Sequence, residues 1–395
     1  MNISPKERFL DICHFKRPGD LFLEGVGFWE ETLENWVGQG APKEIVSHRF
    51  RREYFRFERI CKLDESKSGT IGGGQKEVLL KIDLGHGITV SGGGRATIPP
   101  HEPRFISEDE RTVTYMNGRG QTVRVLKDNL REMPLYLDWP VKDRATWNEL
   151  KKRLDPNTPE RWPSDWDAFV QKMNGKSEPL SLWVGSFYGF LREWVGSERI
   201  LYMFYDDPGL IEDMMEQMLY LETEIIKRVL KDIKVQQATF WEDMCYKAGP
   251  LISPAMVRKF MMPRYKKITD LLHSYGVDVI FLDSDGNVEQ LIPLWLEVGI
   301  NYIWPFEVAA GNDVIAIRKK YGKDLIIGGG IDKRALAKGK EAIREEVMSK
   351  VPFLLEQGGC FPCVDHEIPP DITFENYCYY INLMREVAGL EELSF

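Results

Sequence analysis

The sequence predicts an α/β barrel, with parallel strands in a closed sheet and helices outside it. From Pro140 onward, apolar runs of strand length alternate with longer amphipathic segments, which is typical of a parallel sheet. A doubly wound sheet has the same alternation, but polar residues follow the predicted strands, and strand ends of a barrel converge on one face. No Gly-x-Gly-x-x-Gly motif opens a helix directly after a strand, which disfavours a dinucleotide-binding sheet.

The first elements precede this regular alternation. Residues 4–16 have helical spacing, and an Arg-Pro-Gly-Asp sequence ends this N-terminal helical segment. The apolar run 21–27 is predicted to be the first strand, and Trp29 follows it at the start of a second predicted helix. Residues 72–136 contain glycine clusters, short β-rich runs and the turn signal Asn117-Gly118, which predict a small β-hairpin insertion. We expect a single barrel domain over residues 1–395 that contains this β-rich excursion.

The later elements follow from apolar runs and helix boundary signals. Strands are predicted at 180–185, 238–243, 278–283, 300–304, 325–328 and 359–364. Helices are predicted at 147–154, 211–232, 288–297, 314–321, 340–355 and 374–387, and one or two helices are predicted within 254–275. Repeated strand-then-helix units of this length produce a parallel sheet with helices outside.

The net charge and the spacing of the cysteines limit the kinds of protein that this chain can be. The net charge is -9 and the charges are scattered, so the sequence disfavours nucleic-acid binding. The charged N-terminus and the absence of a long apolar run predict a cytoplasmic protein without a membrane segment. The six cysteines are spread along the chain and are expected to be reduced packing residues, including the closely spaced Cys360 and Cys363.

Four residues at predicted strand ends are the candidate catalytic groups. Asp283 and Asp285 end one strand two residues apart, so they point to the same side of it. Glu242 and His366 follow two other strands, and a barrel brings all such ends together at its mouth. Three carboxylates and one imidazole can bind a divalent metal or act as acid–base groups. As a structural alternative, Asp285-Gly286 and Asp365-His366 are only turn and helix-capping groups.

Aromatic residues near the strand ends are the candidate substrate-binding groups. Such rings suit a flat organic substrate or the face of a large cofactor, although they also fill barrel cores. The candidates are Trp29, Phe187, Tyr188, Trp241, Trp304 and Phe361.

Several motifs resemble the uroporphyrinogen decarboxylase-like superfamily over residues 140–390. They are Gly-Ser-Phe-Tyr-Gly-Phe-Leu-Arg at 185–192, Asp206-Asp207-Pro208, Trp241-Glu242-Asp243, Gly-Gly-Gly-Ile-Asp at 328–332 and Asp-His-Glu-Ile-Pro-Pro at 365–370. The resemblance implies a (β/α)8 barrel, in a superfamily where dimers are common. The decarboxylase's arginine-rich N-terminal signature is missing here, so the resemblance points to the branch of corrinoid-dependent methyltransferases.

One branch of these methyltransferases holds zinc with a His-x-Cys-Gly motif and a later cysteine. Asp283, Asp285 and His366 stand at the corresponding positions here, and they are the tentative metal ligands. This replaces a thiolate-rich site by an oxygen-rich one, which suits activation of a leaving oxygen. The resemblance therefore implies O-demethylation, as in anaerobes: a methyl group would move from a phenyl methyl ether or similar donor to cobalt. The chain contains no Asp-x-His-x-x-Gly cobalamin motif, so the corrinoid is expected on a separate partner protein.

Two other functions remain open on the sequence alone. A decarboxylase or lyase acting on an aromatic or tetrapyrrole acid would need cations for the substrate carboxylates, and Arg95, Arg192 and Arg264 are the candidates. A barrel that binds a corrinoid or a methylated compound without catalysis is the third reading. Release of carbon dioxide without a corrinoid would distinguish the second function, and tight binding without methyl transfer the third.

Overall fold

A computed structural model describes residues 3–63, 97–127 and 133–395. Its strands are β1 (Cys61–Lys62), β2 (Arg104–Glu108), β3 (Thr112–Met116), β4 (Thr122–Leu126), β5 (Leu135–Asp138), β6 (Leu180–Trp183), β7 (Gln237–Trp241), β8 (Cys245–Tyr246), β9 (Gly249–Pro250), β10 (Ile280–Asp283), β11 (Tyr302–Trp304), β12 (Ile326–Ile331) and β13 (Cys360–Val364). Seven of these form a parallel sheet in the order β1-β6-β7-β10-β11-β12-β13. The order follows the chain, as in a barrel.

The extended segment 21–28 lies between the two edges of this sheet and completes the barrel. Glu24 forms a parallel bridge with Glu58, just before β1, and Phe28 forms one with Ile368, just after β13. The backbone N–H groups of Glu58 and Ile368 each donate to a carbonyl of this segment at 2.9 Å. The segment predicted as the first strand therefore occupies the eighth strand position, although it pairs through single bridges.

Helices surround the sheet, and most lie where the sequence predicts them. Residues 288–291 are an exception, because the helix there begins only at Ile292, while the Val288 N–H donates to the side chain of Asn312 at 3.3 Å. The helical region predicted at 254–275 is interrupted by a π-helical turn at Val257–Met261. The α-helices are Pro5–Cys13, Glu30–Gly38, His48–Tyr54, Arg144–Lys151, Trp166–Asn174, Gly189–Val195, Arg199–Asp206, Pro208–Asp232, Pro254–Met256, Met262–Ser274, Ile292–Glu297, Val314–Tyr321, Lys333–Ala337, Lys340–Gln357 and Phe374–Val387.

Alternation along the strands separates the outer core from the barrel interior. Leu282 is paired in register with Phe240 and Ile303, and all three are fully buried in the core that includes the surrounding helices. The next residue, Asp283, is paired in register with Trp241 and Trp304. Because neighbouring residues of a strand point to opposite faces, these three side chains point into the barrel. They lie at the carboxyl ends of their strands, which form the mouth of the barrel.

Aromatic side chains close the opposite, N-terminal end of the barrel. Phe361 contacts Phe9 of the first helix, Phe22 and Tyr302, with ring centroids 5.2 to 5.5 Å apart. This cluster is buried and separate from the main core. The structure thus places Phe361, a predicted substrate-binding residue, in the floor of the barrel, because it lies at the start of β13 and not at its end.

The predicted insertion is larger than a hairpin. Strands β2, β3, β4 and β5 form an antiparallel sheet in chain order, which extends to Asp138. The predicted turn after Asn117 is present, and the Asn117 Oδ1 atom accepts hydrogen bonds from the backbone of Arg119 and Gln121. The glycine clusters and the β-rich run predicted between 72 and 94 lie outside the described residues.

All six cysteines are buried and none is in a disulfide, as expected for reduced packing residues. Within the described parts of the chain, no helix combines the length and the apolar character needed to cross a membrane.

Candidate active site at the barrel mouth

Two overlapping groups of acidic and imidazole side chains lie at the mouth. Asp285, Glu307 and His366 each place a potential ligand atom within 4.8 Å of the others. Asp243, Asp283 and Asp285 do the same. Asp285 belongs to both groups, so the structure links three of the four predicted catalytic residues, namely Asp283, Asp285 and His366.

His366 and Asp285 form the direct contact within the first group. The Nε2 atom of His366 lies 3.4 Å from the Oδ2 atom of Asp285, and both side chains are about one third exposed. The hydrogen bond that the imidazole donates to the Asp285 carboxylate raises the pKa of His366, while burial opposes this change. The ring of Trp304 lies roughly parallel to the imidazole, with centroids 6.4 Å apart and an interplanar angle of 28°.

Gly286 positions the third member of that group. Its N–H donates to the Oε2 atom of Glu307 at 2.8 Å. Gly286 has a φ of +83°, and a Cβ atom there would lie 2.6 Å from the backbone of Cys245. Only glycine permits this turn, which brings the chain after Asp285 back toward Glu307.

Asp243 is held at the mouth by Arg192. The Nη1 atom of Arg192 donates to the Asp243 carbonyl at 2.6 Å, and its Nη2 atom lies 3.4 Å from the carboxylate. The guanidinium lies over the ring of Trp241, 5.4 Å from its centroid. Burial raises the pKa of Asp243, and the nearby charge of Asp285 raises it further. Asp243 can therefore retain a proton more readily than an exposed aspartate.

Glu242, the fourth predicted catalytic residue, lies in the core beside the mouth and is fully buried. Its carboxylate accepts hydrogen bonds from the Ser186 and Tyr265 hydroxyls at 2.8 and 2.7 Å. It also accepts from three backbone N–H groups at 2.7 to 3.3 Å, those of Phe187, Tyr188 and Gly189. Burial raises the pKa of Glu242, while these donors oppose that change. These contacts anchor the loop after β6 and favour a positioning role for Glu242, whose catalytic role stays a prediction.

The structure divides the predicted aromatic residues. Trp241 and Trp304 point into the barrel beside Asp283, and Trp29 is 48% exposed next to Ile368, to which its N–H donates. In contrast, Phe187 and Tyr188 are buried within the core. They were expected at the mouth because they follow β6, but the hydrogen bonds to Glu242 draw this loop inward.

Two further interior rings and two carboxylates were not predicted as site residues. Trp183 and Phe281 are both in register with Thr239, and both are only partly buried. The Nε1 atom of Trp183 is buried without a hydrogen-bond partner. Strand alternation provides the signal, since Leu182 and Leu282 face the outer core. Asp243 and Glu307 also follow predicted strands, but position alone did not distinguish them from other polar strand ends.

The three arginines considered for substrate carboxylates lie in different places. Arg192 reaches the mouth but is already engaged with Asp243. Arg264 is buried and pairs with Glu216 at 2.7 Å. Arg95 lies outside the described residues. The described part of the mouth is therefore acidic, which does not favour a substrate with several carboxylates.

Glu222 is a buried carboxyl next to the loop that carries the site. A Cβ atom on Gly185 would come within 2.7 Å of its Oε1 atom. Neither carboxyl oxygen has a hydrogen-bond partner, and burial raises the pKa of Glu222 to about 8, although Arg161 opposes this. The folded protein thus holds a proton on Glu222 at pH 7.

We expect Glu222→Gln to stabilise the protein at alkaline pH. An unfolded glutamate loses its proton near pH 4.5, so the folded state binds more protons between that value and about 8. Stability therefore falls as pH rises through this window, and glutamine removes the loss, by about 4 kcal/mol at the upper end. Urea unfolding at both ends of the window measures it. The exposed Glu212→Gln is the control, and an unchanged pH slope in Glu222→Gln would contradict the assignment.

These features define a class: a (β/α)8 barrel with acidic and imidazole groups beside aromatic rings at its C-terminal face. The chain belongs to the uroporphyrinogen decarboxylase (URO-D) family, whose family model matches residues 190–387. Among solved structures, it is similar to a methyltransferase from Methanosarcina mazei, with 13% sequence identity and a TM-score of 0.54. That match covers 98% of this chain and 99% of the other, and it shows a shared fold. A search of curated protein sequences found no match.

Proposed function

We propose that this protein is a corrinoid-dependent methyltransferase of the O-demethylase type. It moves a methyl group from a phenyl methyl ether or similar donor to the cobalt of a corrinoid bound to a separate protein. The observation that carries the proposal is the position of Asp285, Glu307 and His366 beside an interior lined by aromatic rings. The URO-D family membership and the fold shared with a methyltransferase support it.

The first group at the mouth fits a zinc ion. Two ligands of a tetrahedral zinc ion lie about 3.4 Å apart at ordinary bond lengths. The atoms of His366 and Asp285 are separated by that distance, and Glu307 supplies a third donor. Three protein ligands leave one position open, as in catalytic zinc sites. Asp283, a tentative ligand on sequence grounds, lies instead in the group with Asp243, beside the proposed ion.

A divalent ion at this position would supply Lewis-acid stabilisation of the departing oxygen. The chain's own residues have two tasks. Trp241 and Trp304 flank Asp283 and can hold an aromatic ring against it. Asp243, whose pKa is raised, can give its proton to the leaving oxygen. The C–O bond breaks, its electron pair stays on oxygen, and the cobalt(I) nucleophile takes the methyl group.

Anaerobic absorbance spectroscopy with zinc-loaded protein and cob(I)alamin tests this function. Phenyl methyl ethers should produce methylated corrinoid, while methylamines should not. Turnover with methylamines alone would show a different donor class. Release of carbon dioxide from aromatic acids without corrinoid would support the decarboxylase, and tight binding of a methyl ether without turnover would support a binding protein.

Glu307→Ala tests the metal assignment independently of turnover. We expect at least about 100-fold weaker zinc binding, because even changes outside the ligand shell cost 10- to 100-fold. Competition against a chromophoric chelator measures the affinity. Glu289→Ala, an exposed glutamate close to Asp285 in sequence, should bind zinc like the wild type. Equal affinities in both variants would remove Glu307 from the site.

A further inference from the structure

A cavity separate from the proposed active site lies at the opposite, N-terminal end of the barrel. Its volume is about 740 Å³, within the range of small-molecule sites. It lies between the first helix, the start of segment 21–28 and the C-terminal residues. Its lining consists of Arg8, Lys16, Arg17, Pro18, Asp20, Leu21, Leu23, Arg56, Glu58, Arg385 and Leu390.

The cavity is rich in positive charge in a protein of net charge -9. Five of its lining residues are cationic and two are acidic. Arg8 and Arg17 both bind the carboxylate of Asp20, with Nε–O distances of 3.0 and 2.6 Å. Arg8 also pairs with Glu58. Arg8 and Arg17 thus pair with both acidic groups of the cavity. The positive charges of the other three cations therefore have to be neutralised by other groups.

Arg385 and Arg56 are two of these remaining cations. Arg385 is only 9% exposed, and its Nε atom donates to the Glu391 carbonyl at 2.7 Å. The side chain of Arg56 is exposed and makes no hydrogen bond or ion pair with another described residue, although its backbone N–H donates to the Glu53 carbonyl at 3.3 Å. Burial lowers the pKa of Arg385, the positive charge of Arg56 lowers it further, and the carboxylate of Glu391 only partly compensates. Two like charges at one cavity are unfavourable unless an anion lies between them.

Lys16 is the third remaining cation. Its Nζ atom lies 3.9 Å from Asp11, which is a long contact between partly exposed groups. Such a contact contributes little, so this ammonium group is free to turn toward an anion in the cavity.

We propose that this cavity binds a small phosphorylated anion between Arg56, Arg385 and Lys16. Arginine side chains present planar forks of N–H donors that match the oxygens of a phosphate group. Asp20 holds the neighbouring Arg8 and Arg17 through their own donors, so the three remaining cations are the groups that meet the anion. The site lies at the N-terminal end of the barrel, and the proposal therefore does not depend on methyl transfer at the mouth.

Isothermal titration calorimetry with pyrophosphate, at constant ionic strength, tests the site on the intact protein. We expect saturable binding with a Kd below about 1 mM. Arg56→Gln should weaken it at least tenfold, and Lys16→Gln should weaken it severalfold. Arg56 is the first choice because Arg385 also holds the C-terminal segment through Glu391. Arg49→Gln, which removes an exposed arginine on the nearby helix, is the matched control.

Every outcome of these titrations either supports or contradicts the proposed phosphate site. The absence of saturable binding to the wild type would overturn the proposal, as would equal losses in Arg56→Gln and Arg49→Gln. Citrate has a similar charge but no phosphate group, and we expect it to bind at least tenfold more weakly. Equal affinity for citrate and pyrophosphate would overturn the phosphate specificity. Turnover at the mouth should be unchanged in Arg56→Gln.

Discussion

His366→Ala is expected to abolish methyl transfer, by at least about 1,000-fold, without unfolding the protein. His366 supplies the only imidazole of the group with Asp285 and Glu307, so its loss removes both a proposed zinc ligand and the partner of Asp285. Its side chain is 32% exposed, and a partly exposed ion pair contributes at most about 1 kcal/mol to the free energy of unfolding. The cob(I)alamin assay measures turnover, and thermal unfolding measures stability.

The Asp283→Asn variant, assayed in the same way, distinguishes the roles of the two groups of side chains at the mouth. We expect it to lose turnover but to retain zinc, because Asp283 lies with Asp243 and not with His366. His366→Ala should lose both, as judged by chelator competition. His273→Ala, an exposed histidine at the other end of the barrel, should behave like the wild type. Unchanged turnover in both His366→Ala and Asp283→Asn would contradict the assignment of this site.

Glu242→Ala is expected to destabilise the fold by about 3 to 5 kcal/mol. The change leaves five donors without their acceptor in a fully buried environment: two hydroxyls and three consecutive backbone N–H groups. It also removes a buried side chain, which leaves a cavity. Urea denaturation measures the free energy of unfolding. Turnover should fall as well, because the loop after β6 loses its anchor.

Measurements of the free energy of unfolding distinguish a positioning role of Glu242 from a direct catalytic role. Glu242→Gln keeps the shape and one acceptor oxygen but points amide hydrogens at other donors, so we expect an intermediate loss of stability. Exposed Glu289→Ala should change stability by less than about 0.5 kcal/mol. If Glu242→Ala unfolds like the wild type yet loses turnover, Glu242 would act on the substrate directly.

Much of the fold follows from local patterns in the sequence. The helices at Val314–Tyr321 and Phe374–Val387 were predicted with the observed bounds, because apolar spacing and capping residues act over a few residues. The strand ending at Asp283 was predicted for the same reason, and the alternation of its side chains places Asp283 and Asp285 on one side. Short-range information thus determined the barrel class and its acidic mouth.

Tertiary structure decided which strand-end residues share a site. Glu242 and Asp243 are neighbours in sequence, but the turn after β7 buries one among five donors and leaves the other beside Asp285. Phe187 and Phe361 belong to the core, since the first lies on a loop drawn inward and the second lies at the start of its strand. The partnership of Asp285, Glu307 and His366 joins segments that are far apart in the chain. The sequence by itself determined the strands and the residues that end them, because strand periodicity is local. Which of those residues reach the mouth, and what they contact there, depends on closure of the barrel, because closure alone brings distant strand ends together.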